Sequence, residues 1–119
     1  MTSTGGPASM RFELSEVFSG MLANMQAESF TDDAQRLAAV FEDLAGRFAL
    51  FAPLAAGVDP GAVAAALESL ERGGIIAHSE GRYALTPAGR AHCVSSRRTL
   101  FNRRDILELD EAAAVFDTL

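Results

Sequence analysis

The stretch Leu54-Ala55-Ala56-Gly57-Val58-Asp59-Pro60-Gly61-Ala62-Val63-Ala64-Ala65-Ala66-Leu67-Glu68-Ser69-Leu70-Glu71-Arg72-Gly73-Gly74-Ile75-Ile76 decides how the whole chain reads. Asp59 offers a side-chain acceptor to a free backbone N–H, and Pro60 follows at the first helical position, where no N–H is needed. Val63, Leu67 and Leu70 give one apolar stripe, and Gly73 and Gly74 stop it, so the spacing predicts a helix over 60–72. Upstream, residues 49–56 read as a short helical stretch ending at Gly57, whose missing side chain permits the left-handed conformation common past a helix end. Downstream, Ile75 and Ile76 open a β-branched strand, Glu80 and Gly81 make a tight turn, and Arg82 to Leu85 alternate polar with apolar as a return strand. Thr86-Pro87 repeats the cap-then-proline signal and starts a helix over 87–97.

Outward from this segment, Leu14, Phe18, Met21 and Met25 fall on one helical face and predict a first helix over 12–28. Thr31 is a cap candidate, with Asp32 and Asp33 in the first turn where the helix dipole favours negative charge. Leu37, Val40, Phe41, Leu44, Phe48 and Phe51 then keep helical period, while Gly46 and Pro53 limit the helix to about 32–47. Ile106, Leu109, Ala113 and Phe116 predict a last amphipathic helix over 105–117. Residues 2–9 are small and polar and read as a disordered lead-in. The expected fold class is mainly α with a small β-hairpin. The expected organisation is a lead-in over 1–11, a domain over 12–98 with its hairpin at about 75–86, and a C-terminal helical extension over 99–119.

A short helix, a glycine-containing turn, a longer helix, a hairpin and a further helix follow in order, and Leu54, Val58, Val63, Leu67 and Leu70 are what two helices need to pack at a steep angle. The run from Leu54 to Val63, the run from Leu67 to Ile76 and the run Gly81-Arg82-Tyr83-Ala84-Leu85-Thr86-Pro87-Ala88-Gly89-Arg90 together resemble the winged helix-turn-helix of MarR-type and PadR-type bacterial regulators. The same residues resemble the winged-helix dimerisation module of O-methyltransferases, which holds two subunits together without touching DNA. The first resemblance implies that helix 60–72 enters the major groove and that the hairpin tip at 80–82 contacts the neighbouring minor groove or backbone. It also implies that the added terminal helices build a two-fold dimer. The second implies protein interaction alone, because a fold does not fix a function.

Charge is distributed in blocks. Residues 1–71 carry −7, residues 72–104 carry +6 with Glu80 as their one acid, and the last fifteen residues hold five acids and no base. The basic block has the right sign for phosphate, although its arginines could equally pair with the acidic flanks, within the chain or across a dimer. Base edges are read by hydrogen-bonding side chains near the start of a recognition helix, and Pro60 to Ala66 offers none. Ser69 and Arg72 come late in that helix. DNA contact therefore rests on backbone phosphates, with Ser69, Arg72, Arg82, Arg90, Arg97 and Arg98 as the candidate residues. Each has a plainer reading: Arg72 as a cation in a helix's last turn, Arg90 as an ion-pair partner, Arg97 and Arg98 as a helix end. The function expected first is a homodimeric DNA-binding transcriptional regulator of the winged-helix type that contacts duplex DNA mainly through backbone phosphates. The poor recognition helix supports the alternative, a module for protein interaction or dimerisation that binds a partner through the acidic flanks and the alanine-lined helix.

Other chemistry has little to stand on. His78, His92 and Cys93 lack the spacing of a zinc set, and the sequence carries no phosphate loop, nucleophile elbow or His-Glu-x-x-His pair, so no metal, cofactor or catalytic activity is expected. Cys93 reads as a small core residue or a redox sensor, and a single cysteine suits a reducing compartment. No apolar run approaches the length of a membrane span and the N-terminus lacks a signal pattern, which together predict a cytoplasmic protein. Phe18, Met21, Met25, Phe41 and Phe48 read as core, or as the lining of a pocket between subunits. The seam Ile106, Leu109, Ala113 and Phe116 is the expected homodimer contact.

Overall fold

The computed structural model describes residues 12–119, and the expected lead-in over 1–11 lies outside them. The elements run α1 (Leu14–Leu22), β1 (Phe30–Thr31), α2 (Ala34–Arg47), a 3-10 helix (Ala52–Gly57), α3 (Pro60–Arg72), β2 (Ile76–Ser79), β3 (Arg82–Leu85), α4 (Pro87–Leu100) and α5 (Arg103–Phe116). The fold is mainly helical with a small antiparallel sheet.

Helix α3 has the predicted bounds, and Asp59 Oδ1 accepts from Ala62 N at 2.7 Å. The hairpin also forms, pairing Ile76 with Leu85 through Ser79 with Arg82. Glu80 and Gly81 take φ of 52° and 77°, the doubly positive pair that lets a two-residue turn match the strand twist. A third strand was not predicted. Phe30 and Thr31 pair with Tyr83 and Arg82, giving the sheet order β1-β3-β2. Two residues are too few for an alternating pattern to show in sequence.

Helix α4 runs three residues past its expected end, to Leu100, and α5 starts two residues early, at Arg103. Three other helix ends differ for a visible reason. Helix α1 stops at Leu22 because Asn24 and Met25 turn back onto the carbonyls of Met21 and Leu22, and Met25 is buried by that turn rather than by the helix. Asp33, not Thr31, caps α2 through Oδ1 to Gln35 N and Arg36 N at 3.0 and 3.2 Å, since Thr31 is already in β1. The short helical stretch is 3-10 and begins at Ala52, after Phe48 breaks α2 in an extended conformation. The long helix packed on α3 is therefore α2, and the 3-10 helix lies between them in sequence.

Helix α5 is no extension. Its Leu109, Ala112, Ala113 and Phe116 are buried against α1 and the rest of a single core. Phe51, Phe41, Phe18, Phe116, Phe30 and Tyr83 form a continuous line of ring contacts through that core. Phe18, Met21, Met25 and Phe41 lie buried in it, with Phe48 half-buried at its edge. The expected dimer seam is corrected by the same packing. Leu109, Ala113 and Phe116 face the chain's own interior and Ile106 is half-buried, so they cannot form an exposed contact.

The join between α4 and the sheet rests on Thr86. Its hydroxyl donates to Gly74 O at 2.7 Å and accepts from Gly89 N at 2.8 Å, capping α4 and tying it to the strand entry. Thr86→Ala is expected to cost about 1–2 kcal/mol in urea unfolding, with Thr86→Ser recovering most of it.

Candidate interaction surface

The outward face of α3 presents Gly61, Ala64, Ala65, Glu68, Ser69, Glu71 and Arg72, while Val63, Ala66, Leu67 and Leu70 are buried. Of the two predicted contact residues on this helix, Ser69 is exposed and faces a groove toward α1 and α4, beside Ser15, Ser96 and His92. Arg72 Nη2 lies 3.1 Å from Glu68 Oε1 one turn back, so the one cation on this face already has a carboxylate.

Arg82 is the residue the hairpin reading favours most, and it is folded back. Its Nε donates to Ser29 Oγ at 2.8 Å, and its Nη2 donates to the carbonyls of Ser29 and Leu119 at 3.0 and 3.2 Å. The hairpin carries a second tie on its other edge. His78 Nε2 is 2.7 Å from Asp32 Oδ2, and the imidazole stacks on Tyr83 with ring centres 4.4 Å apart. The Tyr83 hydroxyl is held above its ordinary range by burial, and further by the negative charges of Glu71, Asp32 and Glu68. Carboxylates from α3 and from the β1–α2 turn thus lie near enough to Tyr83 to act on its hydroxyl.

The other candidates lie on α4, apart from the hairpin tip. Arg90 Nη2 reaches Met25 O at 3.5 Å, a long contact. Arg97 Nη2 stands 2.7 Å from Asp110 Oδ1, an oxygen with no aligned hydrogen-bond donor, so the contact is electrostatic. Arg98 has no ion pair among the described residues and lines a groove of about 260 Å³ with Arg97, Val94, Ala23 and Asn24. Sequence reasoning named both arginines and missed Asn24, which carries no pattern of its own. At the α4–α5 corner, Arg103 is exposed and Arg104, 82% exposed, lies 3.8 Å from Glu108.

Cys93 is fully buried beneath α1, and burial pushes its thiol pKa up, against the smaller lowering effects of a hydrogen bond from Ser19 and the charge of Arg90. The thiol is therefore protonated at neutral pH, and a maleimide should label Cys93 only as fast as the protein opens. Because the folded value is raised, this group favours the fold below the ordinary thiol value of 9.0. That contribution is lost as pH rises through the folded value. Among the described residues no group of three or more His, Cys, Asp or Glu is placed to hold a metal, and no helix is long and apolar enough to cross a membrane. No protein-family model, curated protein or solved structure matches the chain.

Proposed function

We propose that this chain is a winged-helix module that docks a protein partner on the outer face of α3 and does not read duplex DNA. The order α1-β1-α2-α3-β2-β3, with β1 joining the hairpin as a third strand, supports the winged-helix part of this reading. One observation carries the functional part: the exposed face of α3 sets alanines and two glutamates against one arginine, which is itself paired with Glu68. A duplex brought to this face would meet Glu68 and Glu71 with no free cation to offset them, at a repulsive cost. A partner with a flat apolar centre and a basic rim fits the same surface, because alanines allow close approach and the carboxylates meet the rim.

Fluorescence anisotropy with duplex fragments at low salt tests the DNA half, and no binding at tens of micromolar protein is expected. A photo-crosslinking residue at Ala65 tests the partner half in extracts of the source cell. It should give one adduct that Glu68→Arg removes and that the same residue at Ala88 on α4 does not give. Saturable duplex binding would overturn the proposal.

A second reading has one observation in its favour. Arg98 and Arg103 are exposed without an ion pair among the described residues, and Arg104 is nearly so. A DNA-binding regulator of this fold would use that corner for phosphates, and its binding would fall steeply with salt and with removal of these three arginines.

A further inference from the structure

We propose that the groove between the end of α1 and the face of α4 is an oxyanion site, built by Arg97, Arg98 and Asn24 and suited to a phosphate group. Arg90, Val94, Arg97 and Arg98 recur at the spacing of one helical face, and the groove at its C-terminal half takes in Ala23 and Asn24 from the turn that closes α1. Two guanidiniums and a carboxamide line one groove, a set of planar donors suited to a tetrahedral oxyanion.

The two arginines have different parts. Arg97 is only 18% exposed and lies 2.7 Å from Asp110, so its guanidinium is confined at the groove wall and its charge is partly offset there. Arg98 supplies the uncompensated charge. It sits in the last turn of α4, where its charge complements that helix's dipole without taking up its hydrogen-bond donors, and the C-terminal carbonyls of α1 do not need it. The N–H groups of Ala23, Asn24 and Met25 donate to the carbonyls of Ser19, Met21 and Leu22 at 3.1 Å each. The groove, at about 260 Å³, admits a phosphate and part of what it is esterified to. This inference stands apart from the proposed protein contact, which uses α3.

The test is a ¹H–¹⁵N titration of the full chain with pyrophosphate at fixed ionic strength, with sodium chloride as the control. Saturating shifts are expected at the Asn24 side-chain amide, the Val94 amide and the Arg98 Nε–H. Arg98→Ala should weaken binding by about tenfold, the loss of one charge-assisted hydrogen bond. Arg103→Ala, outside the groove, should leave it unchanged, and the exposure of Arg98 keeps the variant folded, checked by circular dichroism. Repeating the titration with a short DNA duplex present separates the two sources of phosphate. Undisturbed pyrophosphate shifts assign a small phosphate ester, and displacement assigns a nucleic-acid backbone. Shifts that track ionic strength without saturating, or that survive Arg98→Ala, would overturn the proposal.

Discussion

Gly89→Ala is expected to leave little folded protein, with a loss of about 3 kcal/mol or more in urea unfolding. A Cβ on Gly89 would press into the carbonyl oxygen of Ile75 and lie 2.7 and 2.8 Å from its carbonyl carbon and Cα. These are backbone atoms with no rotamer to change. They are also pinned, since Ile75 N donates to Leu70 O and Ile75 O accepts from Thr86 N, both at 3.0 Å. Relief would require the first turn of α4 to move off the strand entry, breaking the Thr86 ties on both sides. Gly46 makes the matched control. It is exposed in α2 with nothing within 4 Å of an added Cβ, so Gly46→Ala should be neutral or stabilise by up to about 1 kcal/mol. A Gly89→Ala protein as stable as the parent would mean that the packing of α4 on β2 is not as described.

The same glycine shows what the sequence could and could not reveal. Thr86-Pro87 and the glycine three residues after Thr86 announce a capped helix, because capping is a local matter decided within four residues. That Gly89 also clears space for Ile75 depends on how α4 meets the sheet, which no local pattern carries. Helix α3 was legible to the residue because cap, stripe and stop agree. Strand β1 was not, because Phe30 and Thr31 become a strand only through Tyr83 and Arg82. For the candidate contact residues the limit is of another kind. Sequence gives the charge of Arg72, Arg82 and Arg97, but Glu68 and Asp110 offset two of these charges and Ser29 occupies donors of Arg82, and the partners of Arg82 and Arg97 lie outside their own elements. A long cation is free or occupied only in three dimensions, so a block of arginines in sequence overstates the positive surface that remains.

Phe116→Ala is the second substitution with a large expected effect, about 3–5 kcal/mol. The ring sits where α1, β1 and α5 converge, with centroids 4.8 Å from Phe30 and 5.8 Å from Phe18, and it is fully buried. Truncation would open a cavity bounded by other rings, which cannot swing in without losing their own contacts along the aromatic line. The value of this variant is that it separates two roles for the same heptad-like spacing. A residue on a dimer seam, when truncated, changes the mass in solution and makes the melting temperature depend on protein concentration. A residue in the chain's own core lowers the melting temperature equally at all concentrations. The second outcome is expected for Phe116, because α5 spends its apolar stripe on α1 and leaves outward only Leu107, 61% exposed, among Arg103, Arg104, Glu111 and Ala114. Leu107→Glu, by contrast, should change stability by no more than about 0.5 kcal/mol. If Phe116→Ala instead shifted the oligomer and spared the monomer, the α5 stripe would belong to a subunit contact and the packing of α5 against α1 would have to be redrawn.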